Sequence, residues 1–331
     1  GKNPRDYFNY IRLPEICKYF WTDGTQLSTH ADAQETASEM AKVLGEEEAN
    51  VAEFLKGLQD KYEIISELFL ENSLQDLSTW TSKKAMRGYL NIPNLGLFST
   101  MHAYHARRFK HPKTVQLFDR YATYNGSNPY QTPATLSVIP NLEYNIGAFM
   151  PVGGMISITN SLCRLAKELG VEFRMNEKVE EIVTEGQRAV GIKTAKGIFS
   201  FDHVASNMDI RPSYKKLLPQ IQSPKKLLNQ ERSSSGIIFY WGVNRKFDAV
   251  GVHNIFFSDH YQEEFKHIFE EKTLFDDPTI YLHISSKVAT EDAPDGCENW
   301  FILINSPANE GQDWDDLVQK TKANVIQKLS K

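Results

Sequence analysis

Between Asp32 and about Arg87 the apolar residues step by three or four, with Phe54, Leu55, Leu58, Tyr62, Ile65, Leu68 and Phe69 on one stripe, the period of a helix that buries one face. The last third of the chain keeps a different rhythm. Residues 236–243, 254–257, 279–285 and 299–305 are short runs rich in β-branched and aromatic side chains, which read as strands. A chain that separates helical and strand blocks in this way is expected to be α/β in the mixed α+β sense.

The segments between follow from local signals. The aromatic-rich stretch 11–21, the turn dipeptide Asp23-Gly24 and the stretch 25–29 predict a hairpin. Helical character resumes from Met101 to Tyr124 and stops at Asn125-Gly126, and residues 128–141 form a connector because Pro129, Pro133 and Pro140 lack the amide donor. Gly153-Gly154 precedes a helix whose buried stripe is Ile156, Leu162, Leu165, Ala166 and Leu169, with Gly170 as the C-terminal cap. Residues 171–176 alternate at period two and are expected as a strand, followed by strands at 188–194 and 198–201 around Lys196-Gly197. A Lys-rich helix is expected near 212–231, a short amphipathic one at 261–269, and a last one through Trp314, Leu317, Val318, Thr321, Val325 and Leu329.

Composition removes several function classes. The 331 residues suffice for about two domains, and a hydrophobic share of 41% excludes a disordered chain. With 42 Asp and Glu against 37 Lys and Arg there is no basic footprint, so nucleic acid is not an expected partner. Cys17, Cys163 and Cys297 fit neither a disulfide framework nor a CxxC clasp, which points to a reducing cytoplasm. Apolar runs such as 237–241 fall far short of the ~20 residues that span a bilayer. The first six residues contain neither Met nor an apolar leader core, and the chain is expected to begin inside a longer protein.

No GxGxxG, P-loop, GxSxG or HExxH is present. His102 and His105, three apart on a presumed helix, have a spacing that can present two imidazoles to one ion. With no third ligand in the pattern, no metal site is expected. Arg107, Arg108, Lys110, His111 and Lys113 beside Met101, Tyr104 and Phe109 make a basic and aromatic mixture suited to an anionic bilayer surface, and equally a solvated helix face.

The stretch 120–134, reading RYATYNGSNPYQTPA, with Pro151-Val152-Gly153-Gly154-Met155 after it, resembles the middle of the bacterial-type carotenoid desaturases, the phytoene desaturase family. His253 to Asp259 with Tyr261 and Phe265 is similar to a second family motif, and 277–281 followed by 293–299 to a third. The resemblance extends over essentially the whole chain. It implies a two-domain flavoprotein of the amine-oxidase/phytoene-desaturase type. Residues 1–150 and 209–331 would form the substrate-binding domain, and 151–208 the central piece of the FAD-binding domain. The family's N-terminal dinucleotide-binding motif and C-terminal FAD segment have no counterpart in this sequence. Residue by residue, Asn176-Glu177-Lys178-Val179 implies an adenine contact through Val179. Ser206 and Asn207, within 205–209, would lie near the cofactor, with Met208 a departure from the family pattern, and Gly153 and Gly154, at the start of a helix, are also cofactor-binding candidates.

The chemistry that the resemblance implies is FAD-dependent desaturation of an acyclic carotenoid, a hydride passing to the flavin and a proton lost from the adjacent carbon. The favoured substrate is a 1-hydroxycarotenoid at its 3,4 bond, because 15–21 is similar to that branch of the family. A polyene needs a long apolar tunnel, for which Phe149, Phe239, Trp241 and Phe256 are candidates by type, although an ordinary core explains each as well. Such a substrate partitions into membranes, so a peripheral place on the inner face of the cell membrane is expected. No catalytic acid or base can be named. Phytoene desaturation and a non-catalytic polyene or lipid carrier are the alternatives.

Overall fold

Strand β1 (Tyr10–Arg12) is followed by the expected hairpin of β2 (Glu15–Phe20) and β3 (Gln26–His30), in which Lys18 pairs with Ser28 and Phe20 with Gln26. The coordinates are a computed structural model that describes residues 2–66, 71–73, 75–81, 96 and 98–330. Helices α1 (Ala33–Leu44) and α2 (Glu48–Ile65) come next. The Asp32 side chain accepts hydrogen bonds from the Gln34 and Glu35 amides, satisfying two of the N–H groups that open a helix without partners, and Gly45 ends α1 at φ 69°. Ala37, Met40 and Leu44 of α1 and Val51, Phe54, Leu55 and Leu58 of α2 are buried; of the stripe that the spacing predicts, Phe54, Leu55 and Leu58 are thus in the core, whereas Tyr62 and Ile65 are half-buried. Leu68, Phe69 and the expected helical stretch around Arg87 lie outside the described residues. Helices α3 (Leu77–Thr81), α4 (Met101–Arg108) and α5 (Pro112–Asp119) follow, then β4 (Phe149–Pro151), antiparallel to β1, and α6 (Ile156–Glu168).

Strands β5 (Val179–Glu185), β6 (Arg188–Thr194) and β7 (Gly197–Ser200) form an antiparallel meander. Residues 171–176, expected as a strand, carry no strand pairing in the structure, and Val171 and Met175 are exposed. Alternation alone does not make a strand; a partner must satisfy its backbone. The expected helix over 212–231 is also broken, into α7 (Ile210–Pro212), a π turn (Ser213–Leu217) and α8 (Lys225–Leu228), with Pro219 and Pro224 between the pieces. Nor is the stripe of α6 buried: Ile156, Leu162 and Leu169 are exposed, and Ser161 is the buried residue of that helix.

The remaining elements are β8 (Ser235–Val243), β9 (His253–Phe256), α9 (Tyr261–Lys266), β10 (Ile280–His283), β11 (Glu298–Ser306) and α10 (Trp314–Leu329). They complete a six-stranded sheet in the order β3-β2-β9-β10-β11-β8, in which β2 runs parallel to β9 and the other neighbours are antiparallel. The chain divides into two compact units, residues 1–159 with 233–331 and residues 160–232. The six-stranded sheet belongs to the first and the meander to the second.

Successive side chains of a strand point to opposite faces. Ile280 and Leu282 of β10 and Ile302 and Ile304 of β11 share one face and pack with Val325 of α10; all five have 0% exposure. Tyr281, Phe301 and Leu303 point the other way. At the β2 and β9 end, that second face carries Tyr19, Trp21, Ile255 and Phe257 into a core with Phe54, Phe109, Phe118 and Tyr121 of the helical region. At the β8 end it is open, with Ile238 42% and Tyr240 77% exposed.

Candidate functional site

A cavity of about 720 Å³ sits on the second face of the sheet, floored by Cys17, Ile255, His253, Tyr281, Leu303 and Asn305. This is the size that a bound small molecule needs. One wall is the segment where α5 passes into a 3-10 turn, Arg120–Asn125, which Gly126 ends at φ 61°. A Cβ at Gly126 would stand 2.8 Å from the Ser233 Cβ. Glycine is thus required twice at this position, for the left-handed backbone and for the close approach of 233–234, whose Ser234 amide donates to the Gly126 carbonyl.

Arg120 is buried and held on several sides. Its Nε and Nη2 donate to the Tyr19 hydroxyl at 3.2 and 2.8 Å, and Nη2 also to the Tyr121 hydroxyl and to Glu143 Oε2, each at 3.0 Å. The Tyr121 hydroxyl donates to the same carboxylate oxygen at 2.5 Å, and the Tyr124 hydroxyl donates to Oε1. Glu143 comes from the π turn Leu142–Ile146. A buried guanidinium is tolerable only when paired and hydrogen-bonded in this manner, and the guanidinium carbon also lies 4.1 Å from the Tyr121 ring centroid.

On the floor, His253 Nδ1 and the Tyr281 hydroxyl are hydrogen-bonded at 2.8 Å, and the His253 and His283 rings stack with centroids 4.9 Å apart. Burial, reinforced by His283, pushes His253 down to about 4, so its imidazole is neutral at pH 7. Burial pushes the Cys17 thiol up to about 12, which makes it an inert core group rather than a nucleophile. Tyr240 and Phe301 continue the aromatic surface beyond the cavity, with ring centroids 5.4 Å apart.

The residues singled out from sequence fall in different places. Phe239, Trp241 and Phe256 lie on the opposite sheet face, packed against the cluster beneath α10, because they keep the register of Ile302, Trp300 and Ile280. Their aromatic type alone did not say which face they share. Phe149, on β4, is half exposed and makes an edge contact with Tyr10. Gly153 and Gly154 both adopt left-handed φ, 80° and 75°, before α6; a Cβ at Gly154 would meet nothing within 4 Å. The glycine pair is therefore demanded by backbone conformation. Val179 opens β5 opposite Thr194, after a left-handed turn at Asn176 with φ 56°. Ser206 and Asn207 are exposed in a loop, and Ser206 Oγ accepts from the Met208 amide.

His102 and His105 are both held through Nδ1 by one buried carboxylate, Asp119 of α5, at 2.6 and 2.7 Å. Their three-residue spacing serves this bridge between α4 and α5, and the described residues contain no group of three or more side chains that could hold a metal ion. The hydrogen bond to Asp119 raises His102, whereas burial lowers His105. The basic segment 101–113 does not offer an apolar face to lipid, since Met101 and Phe109 are buried in the core. Arg108 pairs with Glu53, and Lys113 with Asp23. Among the described residues, no helix is long and apolar enough to cross a membrane.

Nothing in the sequence marks Glu143, His253 and Tyr281 as one cluster. Its members come from three separate segments with no shared periodicity, and the one local signal was the dense Arg-Tyr motif beginning at Arg120.

The chain is 44% identical over 324 residues to a 1-hydroxycarotenoid 3,4-desaturase of Flavobacterium sp. (strain P99-3), covering 98% of this chain and 66% of that protein. It is 33% identical over 310 residues to a 4,4'-diapolycopene oxygenase of Methylomonas sp, covering 93% and 62%. The chain thus spans somewhat less than two thirds of the length of these two relatives. Among solved structures, an oxidoreductase from Methanosarcina mazei superposes with a TM-score of 0.53 at 13% identity, over 97% of this chain and 67% of that one, a likeness of fold. The family model for flavin-containing amine oxidoreductases matches residues 8–259, and the chain belongs to that family.

Proposed function

We propose that this sequence is part of a FAD-dependent enzyme that removes two hydrogens from an acyclic carotenoid, with the 3,4 bond of a 1-hydroxycarotenoid as the favoured target. The observation that carries the reading is the cavity on a sheet face that continues as open aromatic surface, on strands whose other face carries the core of Ile280, Leu282, Ile302 and Ile304. A polyene binds through apolar contact along its length, and Ile255, Leu303, Tyr281, Phe301, Tyr240 and Ile238 supply such a surface. The similarity to a protein named for this reaction supports the choice of substrate.

FAD, when bound, supplies the acceptor for the hydride. Within the larger unit, Gly153 and Gly154 are proposed cofactor contacts, because their open left-handed turn admits a ligand where a side chain would stand. Within the smaller unit, Val179, Ser206 and Asn207 are proposed in the same role. The protein's own contribution is to position the chain and exclude water from it. Phe149 is retained as a candidate substrate contact at the edge of the larger unit. Because the substrate partitions into bilayers, the enzyme is proposed to work at a membrane surface.

A second reading, oxygenation of the polyene, draws on the similarity to the Methylomonas protein. The test is mass analysis of the product after the full-length protein is incubated with a 1-hydroxycarotenoid. Loss of two hydrogens supports desaturation, and gain of oxygen supports the second reading. A protein that binds the polyene but neither takes up FAD nor changes the polyene would be a carrier and would end both.

A further inference from the structure

The cavity has two chemical halves. Ile16, Ile255, Ala148 and Leu303 suit a hydrocarbon, whereas Arg120, Tyr124, Glu143 and the His253–Tyr281 pair form a polar corner. His253 uses one ring nitrogen on Tyr281, and its other nitrogen has no hydrogen-bond partner among the described residues. Glu143 accepts one hydrogen bond on Oε1, from Tyr124, whereas a carboxylate oxygen can accept two. A purely hydrocarbon ligand would cover these atoms, leaving the second His253 nitrogen unpaired and the remaining acceptor capacity of Glu143 unused.

The charge in the corner narrows the ligand further. The Arg120 guanidinium is already neutralised by Glu143 at 3.0 Å, and His253 is neutral at pH 7. An ionised end group would therefore find no uncompensated partner, while a neutral hydroxyl can both donate and accept.

We propose that this corner reads a neutral oxygen function at the end of an acyclic polyene, with His253 and the Tyr124–Glu143 pair as its hydrogen-bonding contacts. This rests on the reading of the chain as a carotenoid-acting enzyme. The hydroxyl is the ruler: it fixes how far the polyene enters, and hence which carbon–carbon bond is presented for reaction.

The test uses the full-length flavoprotein and two acyclic carotenoids of equal length and unsaturation, one carrying a tertiary hydroxyl at its end and one lacking it. The wild type should favour the hydroxylated compound in kcat/KM by roughly 10- to 100-fold, the ratio expected from one or two buried hydrogen bonds. His253→Phe and Tyr124→Phe should each lower that preference by roughly 10-fold, acting on the hydroxylated compound more than on the other. Tyr124→Phe removes a single oxygen from a side chain that is more than half exposed, so it keeps the test open if His253→Phe fails to fold. Equal use of both compounds by the wild type, or a parallel loss for both in the variants, would overturn the proposal while leaving the carotenoid reading intact. Turnover of neither compound would overturn both.

Discussion

The two faces of the six-stranded sheet are built from alternate residues of the same strands, yet they have opposite fates. Ile280, Leu282, Ile302 and Ile304 are wholly buried beneath α10, while Tyr240 and Ile238 stand open and His253, Tyr281 and Leu303 line a cavity. The open face is not polar, as the solvent face of an antiparallel sheet usually is. It is aromatic and aliphatic with a few placed hydrogen-bonding groups, which is the composition of a ligand surface. Apolar content therefore does not distinguish core from site in this protein; only the presence or absence of a covering helix does.

The comparison predicts unequal responses to equal surgery. Ile302→Ala on the covered face should lower unfolding stability by about 3–4 kcal/mol, because neighbours in a packed core close only part of the hole. Tyr240→Ser on the open face should change stability by no more than about 0.5 kcal/mol. Denaturant midpoints of the two variants decide this, and similar shifts would break the distinction between the faces.

The next effect depends on pH. His253 holds its proton more weakly in the folded protein, about 4, than at its ordinary 6.5. Between these values the unfolded chain carries the extra proton, so folding is increasingly opposed as pH falls through the window. Relative to His253→Gln, which does not titrate, the wild type should lose about 3 kcal/mol between pH 6.5 and 4. A stability gap that stays constant across this range would show that His253 is not shielded from water on the cavity floor.

The smallest effect is on ligand retention. Tyr240→Ser should weaken polyene binding only several-fold, the worth of a single aromatic contact of about 1 kcal/mol, as read by titration of the polyene's absorption band. A loss of 100-fold or more would mean that Tyr240 does more than supply surface.

Much of this architecture was legible before any coordinates. The Asp23-Gly24 hairpin, the helical stripe through Phe54 and Leu58 and the strands near 236–243, 254–257, 279–285 and 299–305 all follow from period and turn chemistry. The failures have a common cause. Residues 171–176 alternate correctly but have no strand partner, and the stripe of α6 has the right spacing but no cover. Periodicity reports which residues share a face, and the tertiary neighbour decides what becomes of that face. The same limit applied to the site. Phe239 and Trp241 were candidates by type, yet their register with Ile302 and Trp300 turns them toward α10, away from the cavity. The polar corner was harder still, because Arg120, Glu143, His253 and Tyr281 are joined only by the folded chain.

The most direct measurement is anaerobic bleaching of the bound flavin in the full-length protein on adding an acyclic 1-hydroxycarotenoid, compared at equal flavin content with Leu303→Asp, which places a charge on the cavity floor. The wild-type flavin should bleach and the variant should do so at least about 10-fold more slowly, since an unpaired carboxylate facing a polyene is strongly disfavoured. An oxidised flavin that never bleaches, or a variant that keeps pace with the wild type, would contradict the assignment of this face to the substrate.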